Sequence, residues 1–179
     1  MKLDQIVNQP VIETTRFTLR PLRRSDSGLL DMYAGDERVA RYTTDIPHPL
    51  PPGAVEALIG AAQSPNRAED MWAMDGTKCG MGELMGVIGL EPMDRDQSEV
   101  GYWVGPAFWN TGIASEVVRA LIDANPQGAK TIFASVFQDN PWSARVLTNA
   151  GFAYIGDAEA FSVARTATVP TWTYLKKMS

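Results

Sequence analysis

Between Glu99 and Phe137 the spacing of apolar residues changes period twice, and no other stretch of the chain narrows the fold as much. Glu99-Val-Gly-Tyr-Trp-Val104 alternates as a strand does. Ile113, Val117, Ala120, Leu121 and Ala124 then recur at helical spacing, with Glu116, Arg119 and Asp123 on the other side. Thr131–Phe137 returns to the β-branched and aromatic composition of a strand. Strand, helix and strand in this order favour a crossover between two parallel strands. The link from strand to helix runs Pro106-Ala-Phe-Trp-Asn-Thr-Gly-Ile-Ala114. A helix entered through small residues leaves several backbone N–H groups unpaired and pointing one way, which makes an anion site. Gly112 and Ala114 remove the bulk that would keep a pyrophosphate off that backbone, so the segment predicts a phosphorylated ligand held against the loop.

The flanking sequence completes a mixed sheet. Phe17–Leu22 alternates as a strand until Pro21, and Ser25 or Asp26 is placed to cap a helix carrying Leu29, Leu30, Met32 and Tyr33. Ile46-Pro-His-Pro-Leu-Pro-Pro52 must be loop, because repeated proline fixes φ and removes backbone donors. Ala54–Gln63 reads as a second helix with Val55, Leu58 and Ile59 inward. Met71–Met74, Glu83–Leu90 and Glu99–Val104 are three strands joined by glycine- or charge-rich turns, which favours antiparallel pairing. Asn140–Ala150 is a helix that Gly151 can end in the left-handed conformation, and Phe152–Ile155 and Thr171–Lys176 are the final strands. Residues 1–15 read as a lead-in of little periodicity.

Composition excludes several function classes. One cysteine, Cys79, and one histidine, His48, far apart, permit neither an internal disulfide nor a clustered zinc site, so no metal is expected. A net charge of −5 with mixed signs disfavours nucleic acid. No apolar run reaches the ~18 residues of a membrane span. The opening Met-Lys-Leu-Asp-Gln-Ile lacks an apolar signal core, so a cytoplasmic protein of one domain, residues 1–179, is expected, with no membrane partner.

Trp109-Asn-Thr-Gly-Ile-Ala114 resembles the pyrophosphate loop of the GCN5-related N-acetyltransferases (GNAT), and more closely that of the subgroup acting on ribosomal-protein N-termini. Trp109 departs from the Gln or Arg of the broad family but suits the subgroup. Phe17-Thr-Leu-Arg-Pro-Leu22, Glu99–Trp103, Asn140-Pro-Trp-Ser-Ala-Arg145 and Asn149-Ala-Gly-Phe152 match in the expected order, over roughly residues 11–177. The resemblance implies an α/β fold: one domain with a central, mixed, mostly antiparallel twisted sheet. Helices cover both faces, and one parallel strand pair splays apart to take the pantetheine arm of acetyl-CoA. It also implies an acetyl-CoA-dependent N-acetyltransferase acting on a primary amine by direct attack in a ternary complex. The amine of a protein N-terminus or of a small molecule remains open. So do a non-catalytic acyl-CoA sensor and transfer of a longer acyl group such as succinyl. On assembly the resemblance points to a homodimer.

It assigns cofactor contacts to Trp103, Val104, Trp109, Asn110, Thr111, Gly112, Ile113, Ala114, Ser115, Asn140 and Ser143, with backbone N–H groups near Trp103 and Val104 for the thioester carbonyl. Ser143, three residues after Asn140, is implied at the thioester sulfur, where it can assist the departing thiolate. Asn140 as an N-cap before Pro141, with Ser143 an ordinary first-turn residue, fits the same spacing. Glu99 stands in an otherwise apolar and small strand, where burial would raise its pKa toward that of a useful base; an edge charge is the alternative. Arg20, Tyr33, His48 and Trp72 are candidates for the acceptor pocket, with Trp103, Trp142 and Trp172, although buried aromatics more often belong to a core. Cys79 has no signature of an acyl-carrying nucleophile.

Overall fold

The computed structural model of the chain describes residues 9–178, so the opening hexapeptide and the first half of the lead-in lie outside the described residues. Its elements are β1 (Ile12–Glu13), β2 (Thr18–Pro21), α1 (Ser27–Ala34), α2 (Glu37–Ala40), α3 (Ala54–Gln63), β3 (Asp70–Asp75), β4 (Gly86–Met93), β5 (Gln97–Val104), α4 (Ile113–Ala124), β6 (Thr131–Phe137), α5 (Pro141–Asn149), β7 (Ala153–Ser162) and β8 (Ala167–Lys177). Eight strands form one sheet in the order β1-β2-β3-β4-β5-β6-β8-β7, antiparallel throughout except for β5 against β6. Among the described residues no helix is long and apolar enough to cross a membrane.

Alternation along the strands builds a core on each face of the sheet. On one face Leu19, Trp72, Met74, Ile88, Leu90, Val100 and Ile132 meet Ile113, Val117, Leu121 and Leu147 of α4 and α5. On the other, Leu22, Ala73 and Val87 meet Leu30 of α1 and Val55, Ile59 and Ala62 of α3. The sheet is therefore covered on both sides, as the periodicity predicts. The helices at Ala54–Gln63 and the strand at Thr131–Phe137 keep their predicted bounds.

Three expectations are corrected. The lead-in contributes a short edge strand, β1, paired to β2. The final strands are far longer than predicted, because β7 is exposed along most of its length and carries no apolar alternation; backbone pairing to β8, not a buried face, defines it. Asp26 precedes α1 but does not cap it. Its carboxylate accepts from Arg20 Nη1 and Nη2 at 3.0 and 2.8 Å and from the Arg23 N–H at 2.9 Å.

That bond belongs to a buried cluster. Arg20, 4% exposed, also donates through Nε to Asp75 Oδ2 at 2.8 Å and through Nη2 to the Glu83 carbonyl at 2.9 Å. Burial opposes the charge on Arg20, but its bonds to both carboxylates win and raise its pKa. Replacing one member of such a cluster strands the other charges away from water. Arg20→Ala is expected to lower unfolding free energy by about 3–5 kcal/mol, read from the urea midpoint at constant slope.

Candidate active site

The site begins where β5 and β6 part. They pair only at Gln97↔Thr131, Ser98↔Ile132 and Glu99↔Phe133. Beyond that β5 stays on β4 as far as Gly86↔Val104, while β6 stays on β8 as far as Phe137↔Thr171. Past Glu99↔Phe133 the two strands no longer pair with each other, and a wedge opens between Val100–Val104 and Ala134–Phe137. A cavity of about 1210 Å³ occupies it and runs on to α3 and the loop after α2.

The strand edge that faces the wedge carries backbone donors. Gly105 N–H bonds the Met85 carbonyl on the β4 side at 2.7 Å. The two-residue alternation of a strand therefore turns the Val104 and Tyr102 N–H groups the other way, into the gap. The Val104 carbonyl on that side accepts from Trp109 Nε1 at 2.7 Å. By the same alternation the Trp103 N–H turns toward β4, so Trp103 contributes its ring to the cavity wall and not a backbone donor.

The loop after β5 has the form its composition predicts. Pro106–Phe108 is a single 3₁₀ turn, Asn110 sits at φ 62°, and Gly112, the N-cap of α4, at φ 78°. Glycine suits that left-handed position, and it supplies no side chain to cap the helix. The first-turn N–H groups of α4, which have no intrahelical acceptor, thus face the cavity end lined by Trp109–Ser115. Tyr33 does not line the cavity. Its ring packs where a Gly105 Cβ would stand, 3.0 Å from Tyr33 Cδ1, and edge-on to Phe108, so it supports this loop from behind.

Asn140 and Ser143 both line the cavity at the N-terminus of α5. The Asn140 side chain caps that helix by accepting from the Ser143 N–H at 3.3 Å. Ser143 Oγ lies 2.7 Å from Tyr102 Oη, which also donates to the Ser143 carbonyl at 3.2 Å. Burial pushes the Tyr102 phenol up to about 12, although the bond to Ser143 opposes the shift. Tyr102 is a site residue that sequence reasoning missed. It was visible only as one position of a strand, although alternation from Val100 puts it on the same face as the apolar core.

At the other end of the cavity three carboxylates stand in cross-strand register. Glu91 pairs directly with Glu99, and Glu69 precedes the Asp70↔Leu90 pair by one residue. Paired glycines, Gly89↔Gly101, leave a floor beside them: a Cβ on Gly89 would stand 2.5 Å from Glu69 Oε2, and the space over Gly101 is open. Burial, reinforced by Glu91 and Asp45, raises the pKa of Glu99. Burial, then Glu91, Asp45, Glu99 and Asp70, raise that of Glu69 to about 7. Glu69 is the second residue that sequence reasoning missed, since only strand register reveals its neighbours.

Two acceptor candidates are corrected. Arg20 is consumed by its buried carboxylates, and Trp72 is fully buried with Nε1 donating to the Pro10 carbonyl at 2.8 Å; neither lines the cavity. His48 and Trp172 do not line it either, whereas Pro47, Leu50, Trp103 and Trp142 do.

Residues 16–153 match the family model described as an acetyltransferase (GNAT) domain. The chain is 28% identical over 150 residues to YoaA of Bacillus subtilis, named as an uncharacterized N-acetyltransferase, covering 80% of this chain and 82% of that one. Its fold is similar to that of a ribosomal-protein-S5-alanine acetyltransferase from Vibrio fischeri, with a TM-score of 0.77 at 19% identity, covering 96% of this chain and 98% of that one. A spermidine N-acetyltransferase from Vibrio cholerae, solved with CoA and spermine, gives 0.74 at 20% identity, covering 90% and 96%.

The raised pKa of Glu69 has a consequence for stability. A carboxyl whose folded pKa exceeds its unfolded value favours the fold most below the unfolded value of 4.5, and that contribution is lost as pH rises through about 7. The groups that raise it are Glu91 on β4, Asp45 on the loop after α2, Glu99 on β5 and Asp70 on β3, the last of which is itself paired with Arg67 at 2.6 Å. Relative to wild type, Glu69→Gln is expected to gain melting temperature progressively between pH 5 and 8, a window set around those roughly known pKa values. Parallel melting curves for the two proteins across that range would show Glu69 to be ordinary.

Proposed function

The chain belongs to the acetyltransferase (GNAT) domain family and is an N-acetyltransferase; on that premise we propose that acetyl-CoA lies in the β5/β6 wedge and is attacked directly by a primary amine in a ternary complex. The observation that carries this reading is the wedge itself. It joins an uncapped helix N-terminus, two inward backbone N–H groups, a Tyr102–Ser143 pair and a carboxylate pair in one cavity. The pyrophosphate takes the loop Trp109–Ser115, and the pantetheine arm runs along the free edge of β5 past Asn140. The finer placement, among enzymes that acetylate ribosomal-protein N-termini, is supported by the loop Trp109–Ala114 and by Asn140–Arg145. A lone cysteine supports a cytoplasmic setting.

The acetyl carbonyl accepts from the Val104 N–H, which holds the oxyanion as the amine nitrogen bonds the carbonyl carbon. The proton on that nitrogen passes through water to the carboxylates of Glu99 and Glu69, the charge of Glu99 being one of those that raise the pKa of Glu69. A base with a pKa near neutrality both takes the proton readily and is largely ionised at working pH. The carbon–sulfur bond then breaks. Tyr102, held protonated by its high pKa, supplies a proton to the thiolate directly or through Ser143, and recovers one from solvent.

Purified protein, acetyl-CoA and a panel of peptide α-amines, free amino acids and polyamines test the reading through release of free thiol. At least one class should turn over. Binding of acetyl-CoA with no thiol released by any of them would make the chain a sensor. With the active amine in hand, kcat/KM should rise through about pH 7 as the carboxylate pair ionises. Glu99→Gln removes one of the charges that raise Glu69, so the rising limb should move to lower pH as the plateau falls about 10²-fold. An unshifted limb would leave the pair without a proton-accepting role.

Tyr102→Phe and Ser143→Ala should each lower kcat by about 10–10³-fold, and the double variant little further, because the two hydroxyls act as one unit. Acetyl-CoA affinity, measured by calorimetry, should hardly change. A loss confined to affinity would make both residues binding groups.

A further inference from the structure

Glu116 stands in the first turn of α4, behind the N-terminus at which the pyrophosphate is read to bind. A free carboxylate there would repel a second anion. The structure does not leave it free. Thr14 Oγ1 donates to Glu116 Oε2 at 2.6 Å, the Arg16 N–H donates to the same oxygen at 3.0 Å, and Arg16 Nε donates to Oε1 at 2.8 Å. Burial alone would raise the pKa of Glu116; these bonds outweigh it and lower the value. The same guanidinium touches the loop. Arg16 Nη2 donates to the Thr111 carbonyl at 3.2 Å and lies 3.4 Å from where a Gly112 Cβ would stand. Its plane also rests over the Phe17 ring, 4.6 Å from the centroid, which limits how far it can swing. The turn between β1 and β2 is thereby fastened to the loop between β5 and α4, about a hundred residues away in sequence.

We infer that Arg16 is a positioning residue for acetyl-CoA: it turns the Thr111 carbonyl away from the anion and cancels Glu116, so that the loop presents its N–H groups with no free carboxylate behind them. The inference rests on the reading of this loop as the pyrophosphate site. It explains why a carboxylate is tolerated one turn from an anion site, and why a surface arginine carries bonds to two separate elements. Its effect must be specific to the pyrophosphate, since the acetyl and pantetheine ends lie along β5.

The test compares CoA with S-acetylpantetheine, which carries the thioester and lacks the pyrophosphate. Arg16→Ala should raise the Kd of CoA about tenfold, the value of one or two charge-assisted bonds, with kcat at saturating acetyl-CoA nearly unchanged. Its kcat/KM with S-acetylpantetheine should match wild type. Adding Glu116→Gln to Arg16→Ala removes the uncancelled charge and should bring Kd back to within about threefold of wild type. An unchanged Kd in Arg16→Ala overturns the inference. So does an equal loss with S-acetylpantetheine, or no recovery in the double variant, because either makes Arg16 a general support of the fold. If Arg16→Ala does not fold, Arg16→Lys retains the charge and loses the Thr111 bond. It should raise the Kd of CoA about threefold with S-acetylpantetheine unaffected, and equal Kd values there overturn the inference as well. Failure of the wild-type protein to bind CoA at all would instead sink the acetyl-CoA reading.

Discussion

Two strands that pair with each other for three residues, while each pairs elsewhere for seven or eight, are the constraint from which the rest of this molecule follows. A parallel pair is ordinarily zipped along its length. Here β5 stays bound to β4 through Val104 and β6 to β8 through Phe137, while the pair between them stops at Glu99↔Phe133 and the sheet parts there. Parting leaves inward N–H groups on β5 without a strand to receive them, and an unpaired donor away from bulk water is costly. A ligand carbonyl in the wedge is the natural partner. The long β7–β8 hairpin thus has an indirect role. Through β8 it supplies the partner on which β6 stays ordered as far as Phe137, after its pairing with β5 has ended.

What holds the two sides of the wedge in place is polar as much as apolar. The Arg20–Asp26–Asp75 cluster ties β2 to β3 and to the turn before α1. The Arg16–Glu116 contact ties the β1–β2 turn to α4, beside the loop Trp109–Gly112. Both arginines lie in one short strand region, and they differ in exposure, so they do different work. Arg20 is sealed and serves cohesion. Arg16 is 39% exposed at the side chain, beside the loop, and such a pair contributes little to stability. Its worth lies in where it leaves the charge.

The periodic parts of the fold were legible in the sequence because burial on one face imposes a period. Val55, Ile59 and Ala62 on α3 and Ile132, Ala134 and Val136 on β6 are buried at the spacing expected of a helix and a strand. β7 was not legible beyond its first residues, since a strand in solvent on both faces has no such period. The form of the loop before α4 was legible because its glycine at positive φ and its uncapped helix answer a local demand. Tyr102 and Glu69 were not, because their roles depend on partners, Ser143 and the Glu91–Glu99 pair, that only tertiary register supplies. Arg20 and Trp72 went wrong for the converse reason. Their residue types suit a binding pocket as well as a core, and only burial separates the two.

The charges inside the cavity divide by function. The loop end is a helix N-terminus whose one nearby carboxylate is cancelled, which suits a ligand of high negative charge. The opposite end gathers Glu69, Glu91, Glu99 and Asp45 around a floor of two glycines, which suits an arriving ammonium. An ammonium must lose its proton before it can attack, and burial, reinforced by the neighbouring carboxylates, raises the pKa of Glu69 to about 7 and raises that of Glu99. On the proposed reading, attraction and deprotonation are set by one cluster, and they compete. Stronger repulsion makes a better base and leaves less negative charge to attract the amine. A pair with one member near neutrality sits between these limits, holding roughly one charge to draw the amine in and one site to receive its proton. The same fold carries a ribosomal-protein acetyltransferase and a spermidine acetyltransferase among its relatives in shape, so the sheet does not select the acceptor. On the reading proposed above, selection falls to what surrounds this cluster, the loop through Asp45, Ile46 and Pro47 and the rim at Trp103 and Leu58, and the wedge serves whichever amine they admit.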